Sequence, residues 1–277
     1  MTDNRGDNDV FRRSIYRKTL LDMRTLGQKM PEDTLELLAR EVLHRLTLQS
    51  EAKGIPDGLA QDQEIEKLCR DLLSDDPLAG SRYVSELRLR GVDLDTLYLA
   101  YLAGAARKLG VWWEEDEITF IEVTTGTSRI YGIMRGLNPL FVSSLGVPHR
   151  SALFASCPGE THTLGVKMAS DLFRKDGWDI DLKIGRSHDD LIEDIANSPC
   201  VLIGLSAAGE HAIARLAKLI VAIRVVRPEC LILVSGNIVN VSTEIVSLMA
   251  PDAMAIEYEE AEAEMESLLE RVSGTIN

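Results

Sequence analysis

The order of apolar segments after Pro148 constrains the fold of this chain more than any other feature. Five short strand-like segments, four of them apolar, alternate there with segments of helical periodicity. Five strand–helix repeats within about 125 residues are typical of a parallel sheet with helices on both faces. We therefore predict that residues 148–277 form an α/β domain with a flavodoxin- or Rossmann-like five-stranded parallel sheet. The predicted strands have the sequences ALFAS, DIDLKI, CVLIGLS, CLILVS and AMAIE.

The part of the chain before Pro148 is predicted to be helical. Residues 61–147 contain four helical patterns with short connections and no strand pattern, which indicates a four-helix bundle. Residues 1–60 are predicted to hold one helix, over 32–48, and a polar linker. The basic cluster at 11–18, FRRSIYRK, is interpreted as a frayed tail or a solvated helix face, with a partner contact as the alternative.

The charge balance and the cysteine spacing exclude several classes of function. Among 277 residues, 44 are acidic and 30 are basic, which gives a net charge of -14. Such a chain is not expected to bind nucleic acid or an anionic membrane non-specifically, and it contains no recognisable DNA-binding module. It has no signal peptide and no apolar run of about 18 residues, so a cytoplasmic location is expected. The four cysteines are too widely spaced to indicate a zinc site or a disulfide framework.

Three loops should lie at the ligand-binding edge of the predicted sheet. In an open parallel sheet, ligands bind beyond the carboxyl ends of the strands, where the strand order reverses. The loops there read CPGETHTLG, SAAGEH and SGNIVN, after strands one, three and four. In a flavodoxin-like order strands one and three are neighbours, so His162 and Ser206 should face one crevice. No nucleophile elbow, phosphate-binding glycine loop or local two-histidine metal motif is present, so no catalytic residue is predicted.

The same three loops resemble the cofactor-binding loops of cobalamin-binding domains. The segment Glu160–Gly165, ETHTLG, is similar to the D-x-H-x-x-G motif of that family, with Glu in place of Asp. Ser206 matches the serine of the family's S-x-L element, and Ser235-Gly236 stands where a Gly-Gly pair is common. The preceding helical region, with LGVWWEEDEIT, resembles the helical cap of methionine synthase and of cobalamin photoreceptors. The resemblance covers about residues 60–272 and is greatest to PpaA/AerR-type antirepressors.

The resemblance implies a role for each residue of these motifs. His162 would be the axial ligand of cobalt and the sole metal ligand, while Glu160 would accept the hydrogen of its second ring nitrogen. Trp113 would cover the upper corrin face, with a bundle-core residue as the alternative, and His188 and His211 have no supporting context. The remaining cofactor contacts are expected at Thr161, Thr163, Gly165, Ser206, Ser235 and Gly236.

The function implied by the resemblance is that of a cobalamin-binding sensor. It would hold adenosylcobalamin or hydroxocobalamin, respond to light as the photoreceptors do, and regulate transcription through a repressor of the PpsR/CrtJ type. A protein of this kind is not an enzyme. Two alternatives stay open, namely a corrinoid protein of a methyltransferase system and a sensor that binds haem on the same fold. The sequence carries no prediction of the oligomeric state.

Overall fold

The computed structural model describes residues 11–52, 62–142 and 150–274. The chain divides into two compact units, residues 1–137 and residues 138–277. The first unit is helical and the second contains the sheet. Within the described ranges, no helix combines the length and the apolar character needed to cross a membrane.

The helical unit contains more packed helices than the sequence predicted. Four helical segments after residue 61 agree with the predicted patterns, and the third is interrupted by a π-helical turn at Leu97–Leu102. The predicted linker falls largely on residues 53–61, outside the described residues. The α-helices are α1 Arg13–Lys29, α2 Glu32–Ala52, α3 Asp62–Leu73, α4 Ala79–Leu89, α5 Leu94–Thr96, α6 Ala103–Glu114 and α7 Phe120–Val142.

Residues 13–29 form a packed helix where the sequence suggested a frayed or solvated segment, so residues 1–60 hold two helices instead of one. Tyr16 of α1 is fully buried, and its hydroxyl donates a hydrogen bond to the carbonyl of Pro77. A Cβ atom at Gly132 of α7 would lie 3.0 Å from the Tyr16 ring, and one at Gly136 would lie 2.6 Å from Phe11. Glycines inside α7 thus let the aromatic residues of the N-terminal segment approach the helix backbone closely.

The second unit confirms the predicted sheet. Its strands are parallel and lie in the order β2-β1-β3-β4-β5, with neighbouring strands hydrogen-bonded. This is the flavodoxin-like order, in which β1 and β3 flank the point where the strand order reverses. The strands are β1 Ser151–Ser156, β2 Asp179–Lys183, β3 Leu202–Ser206, β4 Leu231–Ser235 and β5 Ala253–Ala255.

Helices cover the sheet because its central strands β1, β3 and β4 are apolar on both sides; the edge strand β2 alternates polar and apolar residues. An aromatic group anchors one buried cluster, with the Phe173 ring centroid 5.0 Å from that of Phe154 and 5.7 Å from that of Trp178. The same cluster contains side chains of α8 and α13, which therefore pack on one face of the sheet. The helices are α8 Leu164–Lys175, α9 His188–Asn197, α10 Ile213–Val226, α11 Asn237–Val241, α12 Thr243–Leu248 and α13 Tyr258–Gly274.

Three neighbouring strands end in serine at the same level. Ser156 of β1 pairs in register with Ser206 of β3, and Ser206 pairs with Ser235 of β4. The three loops that the sequence placed at the ligand-binding edge therefore begin side by side. This register sets the position of the candidate site.

Candidate functional site

The loop between β1 and α8 holds a buried carboxylate. Gly159, with a φ of 75°, completes a turn in which the Glu160 amide donates to the carbonyl of Cys157 at 2.9 Å. The turn directs the Glu160 side chain inward, and only 1% of that side chain is exposed. A buried carboxylate is costly unless its oxygens accept hydrogen bonds, so its partners determine its ionisation state.

Four hydrogen bonds keep Glu160 ionised. Its Oε1 accepts from the amide of Thr161 at 2.9 Å, from the amide of His162 at 3.0 Å and from the His162 ring at 3.1 Å. Its Oε2 accepts from the amide of Ala208 at 2.9 Å. Burial by itself would raise the pKa of Glu160, but these donors outweigh it and lower the pKa to about 2. Glu160 is therefore a fixed negative charge at neutral pH.

This charge determines which nitrogen of His162 carries the proton. An ionised carboxylate can only accept, so the Nδ1–H of His162 donates to Glu160 and the lone pair of a neutral ring is left on Nε2. The His162 side chain is 74% exposed, in contrast to its buried partner. The pair therefore presents an oriented imidazole at the carboxyl edge of the sheet, which is the donor a cobalt ion prefers among the groups of this loop.

Two of the contacts of Glu160 come from the loop after β3 and were not predicted. The Ala208 amide binds Oε2, and Nε2 of His211 lies 3.5 Å from the same oxygen. His211 had no predicted role because its partner, Glu160, is distant along the chain. Its position in the loop next to the His162 loop was the available signal, since β1 and β3 are neighbours.

A narrow cavity lies between the ends of the central strands and α8 and α13. Its volume is about 240 Å³, and its lining includes four residues that the sequence assigned to the cofactor: Gly165, Ser206, Ser235 and Gly236. Its other walls include side chains that the sequence did not single out: Phe154, Met168, Leu172, Ile256 and Tyr258. The mixture of an apolar wall and two serine hydroxyls suits part of a ligand, such as a heterocyclic base.

Glycines keep this cavity open. A Cβ at Gly165 would meet no atom within 4 Å, so that position faces free space in the cavity. A Cβ at Gly204, which also lines it, would lie 2.7 Å from Phe154. Gly236 has a φ of 95°, and a Cβ there would lie 2.5 Å from the Ala207 carbonyl oxygen. The slot thus depends on side-chain-free positions on three elements, and this fits the insertion of a flat group.

Thr161 and Thr163 do not line this cavity, and Trp113 belongs to the helical unit. Thr161 contributes its amide to Glu160, and Thr163 precedes the first residue of α8; neither is among the described residues that line the slot. Trp113 lies near the end of α6 in the helical unit, with the guanidinium of Arg40 4.2 Å from its ring centroid. Its predicted contact with a corrin stays a prediction.

Comparison with known proteins identifies the second unit. Residues 150–266 match the family model described as B12 binding domain. A curated protein of Rhodobacter capsulatus, the uncharacterized 20.5 kDa protein in the bchF-crtJ intergenic region, is 32% identical over 94 residues. This match spans 33% of the chain and 49% of the relative, so the chain spans about half the length of the curated relative.

Corrinoid and cobalamin-binding proteins appear among the solved structures with a similar fold. The Methanosarcina barkeri monomethylamine corrinoid protein is 18% identical with a TM-score of 0.38, covering 75% of this chain and 100% of that one. A cobalamin-binding protein from Desulfitobacterium hafniense is 14% identical with a TM-score of 0.39, covering 74% and 97% respectively. The family match alone, over residues 150–266, relates this part of the chain to B12 binding domains, and it agrees with the cobalamin cofactor predicted from the sequence.

Proposed function

We propose that this protein binds cobalamin with the nucleotide base displaced from cobalt and His162 in its place, and that it acts as a cobalamin-dependent regulator. The observation that carries the proposal is the pairing of exposed His162 with buried, ionised Glu160. Glu160 holds the proton on Nδ1 and fixes the ring orientation, which leaves Nε2 as a donor for the lower face of cobalt. Bound cobalamin supplies a cobalt whose upper ligand can be exchanged.

The cavity beside the serine-lined strand ends would take the displaced base. The hydroxyls of Ser206 and Ser235 provide polar contacts, and Gly165 and Gly236 leave room for a flat ring. Leu164 and Met168 lie on the first two turns of α8 and are 71% and 56% exposed. The cofactor tail would cover these two side chains. Burial of such side chains by a ligand stabilises the complex.

An absorption spectrum of the protein mixed with hydroxocobalamin tests this assignment. We expect a histidine-ligated spectrum in the wild type and its loss in His162→Ala, with strongly weakened binding. His188→Ala removes a histidine of α9 outside the site and should leave the spectrum unchanged. Unaltered binding and an unaltered spectrum in His162→Ala would refute the assignment. The same spectrum separates cobalamin from haem, whose absorption bands differ.

The regulatory part of the proposal rests on the curated relative and on the chemistry of the site. The name of that relative places it in the bchF-crtJ intergenic region, and a CrtJ-type repressor is the partner that the sequence resemblance implies. The thiol nearest the loop, Cys157, is buried, and desolvation raises its pKa to about 12, so it stays protonated and is a poor nucleophile. We propose a binding protein, not an enzyme, that acts on a transcriptional repressor in the cytoplasm.

Co-precipitation of a PpsR/CrtJ-type repressor tests this output. The full chain should be compared with and without cobalamin, in darkness and in light, because a ligand shifts a conformational equilibrium only if the two states bind it differently. We expect repressor capture to change at least severalfold between two of these four conditions. Equal capture in all four would contradict the regulatory proposal and leave cobalamin binding intact.

A corrinoid protein of a methyltransferase system is the second candidate. It is favoured by the charge on Glu160, since a fixed carboxylate beside the ligating histidine would also support proton movement during methyl transfer. Loading the protein with methylcobalamin and adding a thiol or a folate acceptor tests it. Methyl transfer that requires His162 would favour this candidate over the regulator.

A further inference from the structure

A second cavity, larger than the slot in the B12-binding domain, lies inside the helical unit. Its volume is about 760 Å³, within the range of small-molecule sites. It is bounded by α1, α2 and α7 and by the residues at the start of α4. The cobalamin assignment makes no use of any residue of this cavity.

Apolar side chains form the inner end of the cavity. On α2, Leu35, Leu38, Ala39 and Val42 recur at the spacing of one helix face, and the last three are 1%, 4% and 2% exposed. This end admits an alkyl chain or a single ring, whereas an α-helix is about 10 Å across. The body of a matching ligand is therefore a slender apolar group.

The rim of the cavity carries positive charge. Arg17 and Arg24, two turns apart on α1, both line it and are exposed, and the described residues provide neither of them with an ion pair. Arg129 of α7 also lines it, and Nη1 of that side chain donates to the carbonyls of Leu72 and Ser74. No Asp or Glu is present among the described lining residues. In a chain with a net charge of -14, such a site is locally basic.

We propose that this cavity is a binding site for an amphipathic acid, a small molecule with an alkyl or ring-containing body and one carboxylate head. The body would occupy the space lined by Leu35, Leu38 and Val42, and the head would lie at the rim between Arg17 and Arg24. Guanidinium groups bind carboxylates through charge-assisted hydrogen bonds, and Leu21, 63% exposed between the two arginines, would be covered by the ligand.

Fluorescence titration of the full chain with undecanoate carrying a terminal dansyl group tests the site. We expect a blue-shifted emission on binding and displacement of the probe by dodecanoate more readily than by uncharged dodecanol. Arg17→Ala combined with Arg24→Ala should weaken probe binding about tenfold or more and remove the preference for the acid. Arg13→Ala, an exposed arginine of the same helix outside the cavity, is the matched control and should bind as the wild type does.

Leu35→Trp locates the probe, because the larger side chain would fill the inner end of the cavity. We expect this variant to lose probe binding while its circular dichroism and its cobalamin spectrum stay as in the wild type. Absence of probe binding by the wild type, equal affinity in the double arginine variant, or undiminished binding by folded Leu35→Trp would each overturn the proposal. Cobalamin binding is measured in the same samples. A loss of cobalamin binding is therefore distinguishable from a loss of probe binding at this cavity.

Discussion

The two oxygens of Glu160 have separate partners, one in its own loop and one in the loop after β3. Oε1 binds the amides and the ring of the β1–α8 loop, while Oε2 binds the Ala208 amide at 2.9 Å. The family motif carries Asp at this position, and the extra methylene of Glu lengthens the side chain. Because Glu160 joins two loops and orients the proposed metal ligand His162, its replacement should weaken cobalt ligation even though Glu160 itself is buried.

Glu160→Gln tests this residue. The amide keeps the size of the side chain but removes the charge, and one of its two terminal atoms becomes a donor facing backbone amides. We expect the affinity for hydroxocobalamin to fall by about tenfold to a hundredfold, in line with loss of a partner of a metal-ligating histidine. Absorption titration measures the affinity, and Glu210→Gln, in the same loop as Ala208 but with no contact to Glu160 or His162 among those described, is the control. Wild-type affinity in Glu160→Gln would contradict the orienting role.

Gly204→Ala tests the packing of the cavity wall through the free energy of unfolding, and Gly165→Ala tests the open space in the cavity through the affinity for cobalamin. A Cβ at Gly204 would lie 2.7 Å from the Phe154 ring, so we expect about 1–3 kcal/mol of destabilisation in urea unfolding. A Cβ at Gly165 would meet no atom within 4 Å, so stability should be unchanged while cobalamin binds more weakly. Equal stability of the two variants, or full affinity in Gly165→Ala, would be inconsistent with the described slot.

At the scale of elements, local periodicity was sufficient to predict the sheet. The predicted strands and the helices between them match the observed strands and crossovers. Strands β1, β3 and β4 are buried along their length and read as apolar runs, whereas the edge strand β2 alternates polar and apolar residues. The strand order followed from the general behaviour of such sheets, and it correctly predicted that the His162 and Ser206 loops are neighbours. Local sequence patterns thus accounted for the B12-binding domain.

The position of α1 could not be predicted in the same way. Its sequence is polar and basic on average, and its helix is defined by contacts with α7 that depend on Gly132 and Gly136. Those glycines are far along the chain and lower intrinsic helix propensity, so they gave no local signal. The contact of His211 with Glu160 and the second cavity, which needs three helices, were inaccessible for the same reason.

Gly136→Val tests the contact of Phe11, two residues before α1, with α7. A Cβ at this position would already lie 2.6 Å from the Phe11 ring, and the branched side chain adds atoms there. We expect a loss of about 1–3 kcal/mol in the free energy of unfolding, measured in urea. Gly110→Val, at a helical glycine whose Cβ would meet nothing within 4 Å, is the matched control and should lose little or no stability, because valine has a somewhat higher helix propensity than glycine. Similar losses in both variants would show that Phe11 does not pack on α7 as described.

For the molecule as a whole, the resemblance predicts separate tasks for the two units. The B12-binding domain supplies His162 and the slot, and Trp113 of the helical unit is predicted to cover the upper corrin face. We expect Trp113→Ala to change the rate of upper-ligand exchange while the histidine signature in the absorption spectrum persists. Trp112→Ala is the matched control. An unchanged exchange rate in Trp113→Ala would leave the tryptophan a structural residue beside Arg40.

The π-helical turn at Leu97–Leu102 has a consequence for both tryptophans. A π-turn amounts to one extra residue within an α-helix, and each residue advances the direction of the side chains by about 100° around the axis. All six residues of the turn are buried, so it is held in place by packing on every side. The turn therefore sets the angular phase of α6: removal of one residue from it would rotate Trp112 and Trp113 together by more than a quarter of a circle, with no change in either tryptophan itself.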